Sequence, residues 1–448
     1  MLCGATRQVK RLLILSLLAV LSSAAAIVAE QQPRALTLPQ ALQLALEKNP
    51  DLATAQQRLA AARAALRQAD AAFYPHVRVS ESYAASDNPV QAFMMTLNQR
   101  AFNFNANFNH PDTTDNLNTK LLATYPLYNG GSDLAARQAA RLGAEARENS
   151  IDAARNDLMF EVTRSFYTIG KAREFVRVAE AAVASMDSNL AVASNRFTQG
   201  TALKSDLLDV DVRLAEAREN LVLARNALAI SETIFRNVLG VGETENVTAT
   251  EVEWKQTNDP ATGLFDVSQR PEILAAQKAV AAAERQVRMA TGGHLPRVSA
   301  FASYDLDSGD AQRFQNSWVA GVSVELDVFD GFLTRGKAAE ARANLDAARS
   351  ELRKTELALQ LEAKEAQLNL NESLARLEST GHAVAQAEES LQITKERYNH
   401  GLALLTQLID AETALTAARQ RRAAAEADRE IARATVKKAL GLFRKESA

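Results

Sequence analysis

The chain has 448 residues, a formal net charge of −3 and 6% aromatic residues. Glycine and proline are scarce as well, and such a composition favours long helices over a thick globular core. Because the charges nearly balance, the sequence lacks a strongly basic face, and we expect no nucleic-acid partner.

Residues 1–29 have the pattern of a cleaved export signal. Cations precede a short apolar stretch and a run of small residues, with cleavage expected after Ala26 or Ala29. The apolar stretch is too short for a spanning helix, and no later stretch reaches about 18 apolar residues. The single cysteine, Cys3, lies within the signal. The mature chain is therefore expected to form neither disulfides nor thiolate metal sites.

After the signal, apolar periodicity predicts a first structural repeat over 38–240. Helices show apolar residues at three- and four-residue spacing, and strands show strict alternation. The elements expected in this repeat are a helix over 38–48, a helix from Pro50 to about Ala72, a strand over about 76–84, a loop with short strand extensions over 88–113, a strand over about 117–128, a long helix, a tip turn near 196–205 and a returning helix over 203–239.

A polar equatorial linker over 241–268 and a second repeat over 269–442 follow, before a short tail over 443–448. The second repeat is expected to contain a helix over 271–292, strands over about 297–306 and 317–328, a second long helix, a tip turn near 397–406 and a returning helix that ends at Leu440-Gly441.

The two long helices carry the same heptad register, 201 residues apart. In the first, large apolar residues recur at Val162, Ile169, Val176, Val183, Leu190 and Phe197. In the second, the matching positions are Ala363, Leu370, Leu377, Val384, Leu391 and Tyr398. A register kept over this distance indicates an internal duplication, with helices that pack on other helices along their length.

Helix lengths predict how the repeats stack. At 1.5 Å per residue, a long helix of about 64 residues extends about 96 Å. The first returning helix and the helix over 271–292 together come to about 89 Å, so we expect these two to stack end to end beside it. The strands are then expected at one end of the shaft and the glycine turns at the other.

Each of the four long strands has one apolar and one polar face, as in an outer-membrane barrel. The alternation is clearest where Trp318, Val322 and Val324 oppose Ser323 and Glu325. Four strands cannot close a barrel, and open edges in lipid cost several kcal/mol per unpaired group, so oligomerisation is expected. The predicted fold is mainly α with a membrane β-barrel part: a duplicated repeat of long heptad helices (an α-barrel) and four β-strands per chain. Soluble edge strands are the alternative.

A set of short motifs occurs in a fixed order along the chain. They are the Asn49-Pro50 and Arg270-Pro271 helix starts, the Tyr-Pro-Leu-Tyr-Asn-Gly-Gly turn at 125–131, the Arg-aromatic-x-x-Gly tips at 196–200 and 397–401, and Ala-Leu-Gly at 439–441. Because of these motifs and their order, the chain resembles the TolC family of outer-membrane efflux and secretion channels over nearly its whole mature length.

The resemblance implies a homotrimer in the outer-membrane lipid of a Gram-negative cell. Four strands per chain would complete one barrel, and the helices would form a tunnel across the periplasm. It also implies a periplasmic adaptor (membrane fusion) protein docked at the tip turns, and an inner-membrane transporter of the RND or ABC type that supplies the energy.

By the same resemblance, an acidic residue at Asp410 lines the periplasmic constriction. Asp209 is its counterpart in the first repeat, and Gln407 stands where some relatives carry a second acid. Asp206 lies where a gating salt bridge would form, but the matching partner position is Ala403 rather than arginine. Three carboxylates in a ring would concentrate cations. A carboxylate near a helix start also simply interacts favourably with the helix dipole.

Adaptor contact is implied at the two tips, around Arg196, Gly200, Arg397 and Gly401. These residues also fit ordinary helix C-termini, where glycine adopts positive φ at little cost and arginine complements the dipole.

The sequence contains no recognisable catalytic pattern. Its five histidines never pair at i, i+4, and neither a phosphate loop nor a nucleophile motif is present. We expect a non-enzymatic protein without cofactor or metal, namely the passive outer-membrane channel of a tripartite efflux system that exports small molecules. The alternatives are a component of type I protein secretion or of metal-ion efflux and, in a different class, a periplasmic coiled-coil structural or adaptor protein without a barrel.

Overall fold

The computed structural model of the protein describes residues 34–107, 109–242, 245, 247–252, 254 and 266–444. The predicted signal peptide at 1–29, residues 255–265 of the predicted linker and residues 445–448 of the predicted tail lie outside the described residues.

The described residues are mostly helical. The elements in chain order are β1 (Arg34–Leu36), α1 (Leu38–Lys48), α2 (Pro50–Asp70), β2 (His76–Ser86), α3 (Pro89–Asn98), β3 (Thr114–Asn129), α4 (Ser132–Thr198), α5 (Lys204–Leu239), β4 (Val247–Ala249), α6 (Pro271–Thr291), β5 (Arg297–Ser308), β6 (Gln315–Glu325), α7 (Leu333–Asn399) and α8 (Leu405–Ala439). Short 3-10 segments follow α2, α6 and α8 at Ala71–Phe73, Gly292–His294 and Leu442–Arg444.

Four strands form one antiparallel sheet in the order β2-β3-β5-β6. Its register pairs Val79 with Leu121, Leu121 with Tyr304, and Tyr304 with Trp318. Cross-strand partners share a face, so these apolar side chains form one stripe across the sheet. A second sheet, parallel and two-stranded, pairs β1 with β4. Nothing in the sequence predicted this small sheet, which ties the segment before α1 to the linker.

The fourth long strand is shorter than predicted at its C-terminal end. It stops at Glu325, whereas alternation continued to Val328. The reason lies in the neighbouring strand: Glu325 pairs with Arg297, the first residue of β5, so residues beyond it have no backbone partner. Side-chain alternation alone cannot reveal where a partner strand begins.

The prediction of a loop over 88–113 was wrong for its first part, because α3 occupies Pro89–Asn98. The Asn88 side chain caps this helix by accepting hydrogen bonds from the Val90 and Gln91 amides at 3.0 and 3.3 Å. Proline at the first helical position loses no hydrogen bond there. The Asn88-Pro89 pair is therefore a sequence signal for a helix start, but the asparagine-rich segment that follows α3 led to the prediction of a loop.

The chain divides into two compact units. Unit 1 takes its described residues from 1–49, 161–258 and 373–431, and unit 2 from 50–160, 259–372 and 432–448. Each unit therefore contains segments of both predicted repeats. The heptad seam is buried at Val162 and Ile169 in unit 1 and at Leu370 in unit 2. Phe197, at the end of the first seam, is 40% exposed.

The predicted stacking of the first returning helix on the helix over 271–292 was wrong. In unit 2 it is the end of α8 that meets the start of α6: Gly441 lies against Arg270 and Pro271. In unit 1, the C-terminal Gly240 of α5 lies against the backbone of Lys48 and Asn49. The order of the helices along the chain does not show which returning helix stacks on the start of α2 or α6. Two repeats of the same length allow both arrangements.

Both junctions use a side chain from the residue before a proline. The Asn49 side-chain amide donates to the Val238 carbonyl at 2.8 Å in unit 1. Arg270 donates to the Lys438 carbonyl at 3.0 Å in unit 2. Each bond satisfies one of the carbonyls that a helix end leaves unpaired.

Arg270 is the centre of a buried ion network in unit 2. It is 2% exposed and forms two hydrogen bonds with the Glu272 carboxylate, and its guanidinium lies 3.5 Å from Glu362. Lys438 adds ion pairs with Asp157 at 3.0 Å and with Glu362 at 3.7 Å. The network joins residues of α4, α6, α7 and α8.

Within the described part of the chain, no helix is both long and apolar enough to cross a membrane.

Candidate gate at the two tip turns

The two tip turns of unit 1 have the same backbone. Gly200 and Gly401 both have φ of +73°, and each amide closes a turn on the carbonyl three residues before it, from Phe197 or Tyr398. A Cβ at either glycine would meet nothing within 4 Å. Glycine is therefore needed here for its positive φ rather than for space.

Asp206 and Gln407 occupy equivalent positions in the first turns of α5 and α8. The Asp206 carboxylate accepts from the Leu203 amide at 3.4 Å, and the Gln407 side-chain oxygen accepts from the Leu404 amide at 3.1 Å. Both side chains thus satisfy an amide that the helix start leaves unpaired. Asp206 has no basic partner among the described residues, so its observed role is capping rather than an ion-pair lock.

Asp209 and Asp410 are exposed, whereas the adjacent Val210 and Ile409 are buried. Val210 and Ile409 belong to an apolar cluster that also contains Met186, Ala193 and Leu214. Packing of this cluster determines which faces of α5 and α8 are buried, and it leaves the Asp209 and Asp410 carboxylates exposed to solvent.

Arg213 lies near both carboxylates. Its pKa is raised, first by the hydrogen bond to Glu216 at 2.9 Å and by that carboxylate's charge, and further by the charges of Asp410 and Asp209. The structure therefore brings the two predicted acids together with a cation that was not anticipated. An Asp-Arg pair at i, i+4 is a signal that was visible in the sequence.

The two tips are tied together through Arg196. Its guanidinium lies 4.2 Å from the centre of the Tyr398 ring and donates to the Tyr398 carbonyl at 3.4 Å. Tyr398 is buried. Arg397, in contrast, is exposed and donates to the Leu402 carbonyl of its own turn. The Arg196 guanidinium therefore contacts another part of the same chain, whereas Arg397 lies at the surface.

Leucines at the tip turns are exposed to an unusual degree. Leu203, Leu402 and Leu404 are 70, 68 and 69% exposed. They flank the two glycine turns and are here called the tip leucines. Exposed apolar groups that cluster on a surface commonly mark a protein contact.

Glu412 is a buried carboxyl group one helical turn from Gln407 and Leu408. Only 7% of the residue is exposed, and its carboxylate accepts from the Asn189 side chain of α4 at 2.7 Å. Burial raises the pKa of Glu412, although hydrogen bonds from Ser185 and Asn189 oppose this effect. The residue was not singled out from sequence because glutamate in a heptad helix is usually exposed.

In the part of the chain that the structure describes, no group of three or more histidine, cysteine, aspartate or glutamate residues could hold a metal ion.

The family profile described as "Outer membrane efflux protein" matches residues 41–241 and 267–442. This chain belongs to the outer membrane efflux protein family. The similar proteins of the family include Protein CyaE of Bordetella pertussis, which is 25% identical over 86% of this chain and 80% of its own length. They also include the cation efflux system protein CusC of Escherichia coli K12, at 24% identity over 84% and 80% of the two chains.

The outer membrane protein TolC of Vibrio cholerae is 22% identical over 69% of this chain and 73% of its own length. Membership of the TolC family makes the protein an efflux or secretion channel of the outer-membrane class, and its relatives are channels rather than enzymes.

Solved structures have the same fold. A CusC structure superposes with a TM-score of 0.80 over 90% of this chain and 92% of that chain, at 21% identity. The Vibrio cholerae protein VceC gives a TM-score of 0.78 over 90% and 96%, at 20% identity. The efflux-family fold is therefore present over nearly the whole described chain.

Proposed function

We propose that the protein is the outer-membrane channel of a tripartite efflux system, a homotrimer that forms a passive conduit for small molecules. A periplasmic adaptor docks at the tip leucines, and an inner-membrane transporter of the RND or ABC type supplies the energy. The observation that carries this proposal is the four-stranded sheet.

One face of that sheet is apolar and exposed. Val79 and Tyr83 of β2 and Trp318, Val322 and Val324 of β6 are 62–74% exposed. Side chains of this kind are unfavourable in water but suit hydrocarbon. The opposite face carries Asn118, Lys120, Asp305 and Asp307 on β3 and β5, as the lining of an aqueous lumen requires.

The two edges of the sheet, β2 and β6, support closure by further copies. Neither edge strand has a second neighbouring strand among the residues that the structure describes. In lipid each unpaired backbone group would cost several kcal/mol, so β2 of one copy would pair with β6 of the next. Membership of the TolC family favours three copies.

The constriction is proposed at Asp410, with Asp209 and Arg213 beside it. Three copies would then bring six carboxylates and three arginines to the periplasmic opening, with a net negative charge that favours cations. Because Asp206 and Gln407 cap helices, they would support the turns rather than supply the main charge.

Fractionation tests the membrane assignment. We expect the mature protein in the outer-membrane fraction, extracted by detergent and eluting as a trimer. Recovery from the periplasm as a soluble protein without detergent would contradict the channel and favour the coiled-coil structural or adaptor class.

Ion selectivity tests the constriction. In planar bilayers, Asp410→Ala is expected to lower the preference for cations, and Arg213→Gln to raise it. The control is Asp211→Asn, which removes a charge from the opposite side of α5. Equal effects of Asp410→Ala and Asp211→Asn would place the constriction elsewhere.

Cysteine crosslinking tests the docking surface. The mature chain is expected to be free of cysteine, so Thr198→Cys and Asn399→Cys, both exposed, give single reactive sites. We expect crosslinks to the adaptor at both positions and none at Glu219→Cys in mid-helix. Absence of crosslinks at the tips would move the docking surface away from them.

A further inference from the structure

The helix α3 has its apolar side outward. Val90, Phe93, Met94 and Leu97 are 72, 36, 52 and 40% exposed, and their spacing places them on one face. The side toward the protein carries the small residue Ala92, which is 2% exposed. A surface helix in water normally has the reverse arrangement.

The same helix lies on the polar face of the sheet. The Gln99 side-chain amide, directly after α3, donates to the Asn116 side-chain oxygen at 3.0 Å. Asn116 in turn donates to Asp307 at 2.7 Å. Asp307 pairs in register with Asn118, so these residues mark the polar face. Arg100 reaches β6, where it donates to the Asn316 carbonyl at 3.1 Å.

Its position along the strands is the end remote from the long helices. The segment 87–113 connects β2 to β3, whereas α2 and α4 attach at the opposite ends of these strands. In an outer-membrane channel with periplasmic helices, α3 therefore lies at the external mouth.

We propose, on the basis of the proposed channel, that the α3 helices of three copies pack their apolar faces together and close the external mouth of the lumen. Lipid cannot cover this face, because lipid contacts the opposite side of the sheet. Segment Pro89–Asn98 contains no charged residue, so three copies meet without repulsion.

The dimensions agree with closure. A barrel of twelve strands, four per copy, spaced about 4.8 Å and tilted about 40°, is about 24 Å across between backbones. Three helices of about 10 Å diameter that touch around one axis need a circle of about 22 Å. Three α3 helices that lie against the inner wall of the barrel would therefore touch one another at the barrel axis.

The aromatic residues beside α3 extend its apolar face. Phe93 packs edge to face on Phe102, with ring centres 5.7 Å apart, and Phe102 packs on Phe104 at 4.8 Å. Phe104 is 87% exposed. These rings hold α3 against the following segment and enlarge the surface available to the other copies.

The test uses the full-length protein as a detergent-solubilised trimer. Met94→Cys is treated with a short bifunctional maleimide and resolved by denaturing electrophoresis. We expect covalent dimers for Met94→Cys. The control is Gln91→Cys, which is exposed on α3 but lies about 110° around the helix from the centre of the apolar face, and for it we expect few.

An intact Met94→Cys trimer that gives no dimers would overturn the proposal and leave the face to cargo or another partner. A chain that elutes as a monomer would overturn the channel function itself, so the two failures are distinguishable. A second measurement is conductance in bilayers: Leu97→Asp should raise the open fraction at least several-fold over Gln91→Asp. Equal conductance of these two variants would also contradict closure by α3.

Discussion

Replacing Arg270 with alanine is expected to destabilise unit 2 by about 3 kcal/mol, the lower end of the cost of breaking a buried ion pair. The lower end applies because the Glu272 side chain remains 24% exposed, although Arg270 itself is 2% exposed. The variant leaves the Glu272 carboxylate without its bidentate partner and the Lys438 carbonyl without its donor.

Asn49→Ala is the matched comparison, because Asn49 bonds the end of α5 as Arg270 bonds the end of α8. It removes a neutral hydrogen bond, at a cost of about 1 kcal/mol. In a unit of this size, 1 kcal/mol corresponds to about 2–4 °C in Tm. We therefore expect Tm to fall by about 6–12 °C for Arg270→Ala and about 2–4 °C for Asn49→Ala.

The assay is thermal unfolding of the detergent-solubilised trimer, followed by circular dichroism over a range of pH. Burial acts to raise the pKa of Glu272, but the hydrogen bonds and charge of Arg270 more than offset it, so this pKa is lowered. A lowered folded-state pKa stabilises at neutral pH and loses that contribution as pH falls through it. Arg270→Ala should remove this acid-dependent loss.

The double variant Arg270→Met with Glu272→Met removes both charges and should recover much of the lost stability. The reasoning is refuted if Arg270→Ala costs no more than Asn49→Ala, or if the double variant is less stable than Arg270→Ala. Either result would mean that packing at the helix junction, rather than the buried charge, sets the cost.

Three further predictions concern the other parts of the molecule. Because burial raises the pKa of Glu412, the contribution of Glu412 to stability falls as pH rises through its folded-state pKa. Glu412→Gln keeps an acceptor for Asn189, so this variant should raise Tm at neutral pH and make Tm less dependent on pH. Arg196→Ala should lose about 0.5–2 kcal/mol of contact with the Tyr398 ring, which corresponds to a fall of about 1–8 °C in Tm, and amides of both tip turns should exchange faster. Asn88→Ala removes the cap of α3 at a cost of about 1 kcal/mol, which faster amide exchange confined to that helix would reveal; unchanged exchange would contradict the capping role.

Short sequence motifs and side-chain alternation were sufficient to predict most of the helices and strands. The Asn-Pro and Arg-Pro pairs placed the starts of α2 and α6, and glycines at 200, 240 and 401 placed helix ends. These features depend on φ preferences and missing donors, which are properties of a residue and its immediate neighbours. Alternation gave the four long strands for the same reason, since the side-chain direction reverses at every residue.

Tertiary structure decided what depends on a partner distant in sequence. It ended β6 at Glu325, where β5 begins, and paired β1 with β4. It also placed the end of α8, rather than that of α5, against Arg270. At the tip turns, the sequence singled out Asp410 and Asp209, but only packing of the Val210 cluster showed that both approach Arg213. A sequence records which groups are present, whereas their mutual distances follow from how buried faces pack, and these distances decide which charges act together.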